Sequence, residues 1–344
     1  MFRCMTAFVL TVAVGFPAPN RAEGADAKEP LTLEGHRGSV LAVTFLGDGK
    51  ILASASGDKT VKLWSVAEGK EIATLKGHED EVMSVASTPD GKTLASGDKS
   101  GAVRVWDTGT GAERFTLKGQ KGDAATLVVS PDGKTLAVGG GSFDKDAMKA
   151  HGEIRLWDLA TGKAIAVIDC GNHRVIALAS SADGAMLASC SGDGSVILWN
   201  AATGKKQTDL GKNPQGGASL AFSPDGKTLA CGSFFGDMTI KFWDVATGKE
   251  TRTIEAKGNL SAFALKFLPD GKTLVVGGFH QAGIRNPASR GSYVGLWDIE
   301  GGKEQTALTG HSRGVLSVSL NRDATRLAAS GLDSKISVWE LPKK

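Results

Sequence analysis

The chain is short of the side chains that most chemistry uses. In 344 residues there are one Tyr, six His and four Cys. No Cys-x-x-Cys pair occurs, so covalent haem attachment and a zinc knuckle both lack support. No Gly-x-Ser-x-Gly, His-Glu-x-x-His or phosphate-cradling glycine loop is present. "GDKSG" and "SFDKD" resemble cation loops but lack the ordered carboxylate spacing of a calcium site. The expectation is therefore no catalytic residue, no metal and no cofactor. The charge is also unclustered: the net of +3 is spread along the chain, which argues against nucleic acid as a partner. No segment sustains a helical period.

What is abundant is glycine, at 46 residues, and a regular recurrence of tryptophan. Trp64, Trp106, Trp157, Trp199, Trp243, Trp297 and Trp339 are separated by 42, 51, 42, 44, 54 and 42 positions. A period near 42 with two stretched units is a repeat array. Other marks keep phase with it. An x-x-Asp-Gly turn precedes Trp in six units, as in "SPDGK" at 130–134 and 223–227, and the seventh copy, "NRDAT", is degenerate. Asp-Gly between apolar runs signals a hairpin, because glycine accepts the positive φ of a tight turn. A second turn, such as "ATGK", follows Trp. Short runs rich in Val, Ile, Leu and Trp lie between and read as strands.

The first residues stand apart. Arg3 precedes an apolar stretch from Met5 to Phe16, twelve residues against the roughly 20 that a membrane span needs. That suits the core of a secretory signal. "ADA" at 25–27 offers cleavage after Ala27, and Ala22 is a rival. We expect residues 1–27 to be a signal peptide and residues 28–344 the mature domain, exported to a periplasm or the cell exterior. A membrane would be involved only if this segment stayed as an anchor. Cys4 would leave with it. Cys190 and Cys231 fall in strand-like runs and read, with Cys170, as free thiols; one disulfide among the three is the alternative in an exported protein.

Residues 33–65, "LEGHRGSVLAVTFLGDGKILASASGDKTVKLWS", resemble a WD-repeat blade: a Gly-His pair, an Asp-Gly hairpin, "LAS", an Asp six before Trp, and Trp ending the third strand. The resemblance covers roughly residues 29–341 and suggests a bacterial-type exported member. It implies an all-β, seven-bladed propeller of four-stranded antiparallel blades. Only "ELPKK" follows Trp339, so the last unit lacks a fourth strand. "PLTLE" before the first Gly-His aligns with the fourth strands "EIATLKGH" and "EQTALTGH". Residues 30–34 are thus expected to complete the seventh blade and close the ring.

The family's buried polar network carries over unevenly. Blade 1 has the full set: His36, Ser54, Asp58 and Trp64. Blade 2 keeps His78, Ser96 and Trp106, with Ser100 where Asp is expected. Blade 4 keeps Ser189, Asp193 and Trp199, with His173 two residues short. Blade 7 keeps His311, Asp333 and Trp339, with Ala329 for Ser. Blades 3, 5 and 6 lack the His; His151 and Gly291 stand at the Asp position of blades 3 and 6, and Cys231 at the Ser position of blade 5. His36, Ser54 and Asp58 mimic a hydrolytic triad. Recurrence of its fragments around the ring marks it as structural, since catalysis needs one site.

Candidate contact residues follow from position. Thirteen of fourteen places six and four before each hairpin Asp are small or short, as converging inner strands require. Lys266 is the exception; it snorkels to a wet channel or meets an anion there. Seven before the Asp stand Leu41, Met83, Ala125, Ile176, Ala218, Phe263 and Leu316, all apolar, which family geometry puts at the upper channel mouth. The Asp-to-Trp distance is 16 in blades 1, 2, 4 and 7 but 18, 25 and 27 in blades 5, 3 and 6. The extra length falls between strands 2 and 3, on that same face. The insertions bring Phe143, Met148, His151, Phe279, His280, Arg285 and Arg290, with Tyr293 just beyond. Loops carry function, and aromatics and Arg are favoured anchors. The expected function is a non-catalytic scaffold, monomeric on its own, that binds a protein or peptide through Leu41, Met83, Phe263 and these insertion residues. The alternatives are an enzyme or small-ligand binder at the channel mouth, and a recruiting subunit of an exported redox or hydrolytic complex.

Overall fold

In a computed structural model, residues 29–144, 149–171, 173–234, 238–256, 260–279 and 291–342 are described. They form 28 strands, numbered β1 to β28 in chain order, in seven four-stranded antiparallel sheets. Among them no helix is long and apolar enough to cross a membrane. Residues 1–28, including the expected signal segment, lie outside the described residues.

Each sheet is one blade. The first holds β2 (Val40–Leu46), β3 (Ile51–Ser56), β4 (Val61–Ser65) and β5 (Lys70–Leu75), paired in that order. The innermost strands of the next six are β6 (Val82–Ser87), β10 (Thr126–Val129), β14 (Val175–Ser180), β18 (Gly217–Phe222), β22 (Ala264–Phe267) and β26 (Val315–Leu320). Each of these seven strands packs on the next, and β26 packs on β2, so they encircle a central channel. The seventh blade takes β26, β27 (Arg326–Gly331) and β28 (Lys335–Glu340) from the end of the chain and β1 (Leu31–Glu34) from its start. Leu31 pairs with Val338 and Glu34 with Lys335, and Leu33 is buried between blades 7 and 1. This covers an edge of β28 that would otherwise be open to mispairing.

The core lies between blades rather than within them. Trp64, for example, packs with Val40, Phe45 and Leu52 of its own blade and Ile336 and Val338 of blade 7. Strands buried on both faces lose the apolar–polar alternation of a one-sided sheet; β3 and β4 are accordingly almost wholly buried.

The Asp-Gly turns form as the sequence predicts. In all seven copies the Asp carboxylate accepts a hydrogen bond from the backbone N–H two residues on, as from Lys50 to Asp48 (3.1 Å) and from Thr325 to Asp323 (3.2 Å). The next residue then takes positive φ, which is 78° at Gly49. The degenerate copy holds the same turn with Ala324 at φ 50°.

Candidate functional site

The buried network is laid down where the third strand passes beneath the Gly-His loop. In blade 1 the Asp58 carboxylate only accepts, so His36 donates from Nδ1 to Oδ2 (2.8 Å). That leaves Nε2 as an acceptor for the Ser54 hydroxyl (2.7 Å), and Ser54 Oγ in turn accepts from Trp64 Nε1 (2.8 Å). Each polar atom of this Asp58–His36–Ser54–Trp64 relay is therefore matched. Desolvation would raise the Asp58 pKa. Hydrogen bonds from Thr60, the Arg37 N–H and His36 together outweigh it and bring the carboxyl to about 2. Burial lowers the His36 pKa, against the opposing pull of Asp58.

Blade 2 corrects the expectation that Ser100 has displaced the acid. His78 donates to Asp98 Oδ2 (2.7 Å) and meets Ser96 Oγ (2.7 Å), while Ser100 donates to the other oxygen of Asp98. The carboxylate arrives from the end of the second strand instead of the loop beyond it. "GDK" occurs in both blades, shifted by two residues, and was the available signal.

Elsewhere parts are replaced. In blade 7 His311 contacts Asp333 (3.0 Å) and, with Ala329 in place of Ser, the Ala329 carbonyl (3.1 Å); Trp339 Nε1 donates to the Thr309 carbonyl (3.0 Å). In blade 4 Trp199 donates to Ser189 (2.8 Å); His173 is exposed and reaches Asp193 only at 3.6 Å, while Lys212 and Ser195 hold that carboxylate by hydrogen bonds. In blade 5 buried Asn213 bridges the Cys231 and Thr239 carbonyls. In blade 3 the Trp157 Nε1 and the Gln120 amide are buried without a partner among the described residues.

The sequence pattern of the family described as "WD domain, G-beta repeat" matches residues 27–65, 69–107, 162–200, 215–244 and 302–340, more than half of the chain. The chain belongs to the WD40 repeat family. The stretches left unmatched between the second and third segments and between the fourth and fifth contain both insertions. Among curated relatives, 104 residues are 33% identical to Autophagy-related protein 16 of Arabidopsis thaliana, covering 30% of this chain and 18% of that protein. Another match, over 109 residues at 31% identity, is to the Periodic tryptophan protein 2 homolog of Schizosaccharomyces pombe, 32% of this chain and 12% of that one. A longer match, 189 residues at 25% identity, is to Transcription factor unc-37 of Caenorhabditis elegans, 55% of this chain and 28% of that one. The matched stretches thus cover less than a third of each of these relatives.

At the channel mouth away from the Asp-Gly turns, Leu41, Met83, Ala125, Ile176, Phe263 and Leu316 are half-buried and Ala218 is buried. Phe263 stacks on Phe279 (4.9 Å between centroids) and meets Phe234 at 4.7 Å, so an aromatic trio stands where blades 5 and 6 meet this mouth. Phe234 was not among the expected contacts; the two-residue excess of blade 5 was its only trace.

Two expected contact residues are corrected. Tyr293 is buried, and its hydroxyl accepts from Trp297 Nε1 (2.5 Å), the part Ser plays in blade 1. Burial and the charge of Glu304 raise its pKa well above that of an ordinary phenol. Blade 6 lacks the network serine, and a bulky phenol from the same strand fills the space. Phe279 is buried too, because its ring lies over Gly314 of blade 7, where a methyl group would sit 2.7 Å from it. His151 is half-buried on the third strand of blade 3, with its Nδ1 3.8 Å from Asp169 of the outermost strand. The backbone of Phe143 pairs with Ala150, extending a hairpin above blade 3. Met148, His280, Arg285 and Arg290 lie outside the described residues.

The hydroxyls of the inner strands have a role that packing alone did not suggest. The Ser317 and Ser319 hydroxyls accept from the Val43 and Phe45 N–H groups (both 3.2 Å), and Ser84 and Ser219 donate to carbonyls of the next blade (both 2.8 Å). Small residues here let blades converge and also tie together strand edges that have no ladder partner.

Proposed function

We propose that this WD40 propeller is a non-catalytic scaffold that docks a protein or peptide on the face bearing the blade 3 and blade 6 insertions. The supporting observation is the half-buried apolar ring of Leu41, Met83, Ile176, Phe263 and Leu316 at that mouth, backed by the Phe234–Phe263–Phe279 cluster. Water-accessible apolar and aromatic surface is the composition of a contact core. The fold supplies a rigid frame, and the family resemblance implies an interaction platform. The test is affinity capture with the intact chain, with both insertions cut to Gly-Ser, and with Met83→Ala/Phe263→Ala. Capture should fall in both variants. Unchanged capture places the contact surface elsewhere, and turnover of ester, lactone or glycoside substrates by the pure protein ends the non-catalytic reading.

Export belongs to the same proposal and rests on residues 3–27 alone, since the relatives named above are eukaryotic. N-terminal sequencing of protein from the native cell should begin just after Ala27 or Ala22. A chain retaining Met1 in the cytosol contradicts export; one retaining it in the membrane fraction indicates an anchor. Gel filtration of the isolated domain should report a monomer.

A further inference from the structure

The seven inner strands carry a single charged side chain, Lys266. It stands near the Asp-Gly end of β22, at the channel mouth opposite the insertions. It is accessible to water and, among the described residues, has no hydrogen-bond or ion-pair partner. A cavity of about 400 Å³ opens beside it, walled by Leu178, Leu220, Phe222 and Phe267 from the inner strands and by Ser180 and Ser223. The turn carboxylates at this end stay ionised but form no ion pair with Lys266 among the described residues. Asp132, Asp183 and Asp225 each accept from a serine hydroxyl and a backbone N–H of their own turn, and Asp270 from Lys272 and Thr273.

A lone ammonium facing this cavity offers a bound anion a charge-assisted contact. The channel walls withdraw enough water from the Lys266 amine to lower its pKa below the ordinary lysine value. We propose that this mouth is a binding site for a small monocarboxylate, with the carboxylate on Lys266 and an apolar body against Leu178, Leu220 and Phe222. The volume lies in the range of small-molecule sites. One amine balances one negative charge. No second cation stands on the inner strands, so a doubly charged phosphate would keep one charge without a cationic partner there.

The test uses benzoate and its neutral counterpart benzamide on the full chain at neutral pH, read by titration calorimetry and by the chemical shift of the ¹³C-labelled Lys266 side chain. Benzoate should move the Lys266 resonance and bind about tenfold more tightly than benzamide; Lys266→Met, checked for an unchanged melting profile, should lose about tenfold in benzoate affinity and none for benzamide. Benzoate binding should also fall as pH rises through the depressed amine pKa, because the charge that attracts it is lost there. Equal affinity of benzoate for wild type and Lys266→Met overturns the proposal, as does a Lys266 resonance that benzoate leaves unmoved. The readout is independent of the insertion-face capture, so either reading can fail alone.

Discussion

Blades 1 and 6 occupy equivalent places in one ring and are fastened differently. Blade 1 closes its polar interior with four side chains from three segments, every atom matched. Blade 6 has no such histidine and closes the same space with one tyrosine on the strand that bears its tryptophan. Both tryptophans are buried between blades. Apolar packing around Trp is thus what makes a blade. The polar network is a fastening whose parts can be exchanged once the indole N–H has an acceptor. Blade 6 and its neighbour blade 5 also carry the aromatic trio, and blade 6 carries the channel lysine. Loss of the standard network coincides with the features that could meet a ligand.

This comparison can be broken most directly at the network serines. Ser54→Ala removes the acceptor of Trp64 Nε1 and the partner of His36 Nε2 together, leaving two buried groups unmatched; the expected cost is about 2–4 kcal/mol. Ser189→Ala in blade 4 strands only Trp199 Nε1 and should cost about half as much. Urea midpoints at constant m-value measure both. Equal losses would show that the histidine adds nothing to the serine.

Acid should separate the blades next. Asp58 is held at about 2 when folded, against an ordinary value of 3.8, so the unfolded chain binds more protons between those limits. Stability from this group is full above pH 4 and is lost as pH falls through 2, by up to about 2 kcal/mol. The lowered His36 pKa acts in the same direction below the ordinary value of 6.5. Asp58→Asn should flatten the acid limb of a stability–pH curve. An unaltered limb would mean the paired carboxylate is not what acid attacks.

The degenerate turn of blade 7 offers a smaller gain. Ala324 holds a positive φ that the Gly at this position in the other six turns adopts without strain. Ala324→Gly should stabilise by about 0.5–1 kcal/mol, the relief of left-handed strain less the entropy of a freer unfolded chain. Replacing the Gly49 turn residue by Ala should cost more than that, because Asn321 then crowds it as well. The smallest effect concerns the thiols. Cys190 and Cys231 lie 3.6 Å apart, both buried and free, on blades 4 and 5. The mutual contact and burial push the Cys190 pKa far up, and burial takes Cys170 to about 12. A thiol-specific reagent at pH 8 should therefore find little to modify until urea is added.

The sequence made the blade count, the turns and the four-residue network of blade 1 legible, because each rests on local spacing. It misplaced the acid of blade 2, where Asp98 does from the strand what Asp58 does from the loop. It also read Tyr293 and Phe279 as surface anchors. An aromatic beside an insertion looks the same in sequence whether it faces solvent or fills a void left by a missing serine. The cation two before Trp with a glutamate nine later, seen in Lys62–Glu71, Arg104–Glu113 and Lys241–Glu250, was written in the repeat and went unread.

By itself the sequence determined that this chain builds repeated antiparallel sheets, since Asp-Gly spacing and tryptophan phase act within a few residues of each other. Tertiary structure alone decided which side chains share an interior and which face the channel. Those outcomes depend on how neighbouring blades approach, and only the closed ring brings Lys266 to one mouth and Phe263 to the other.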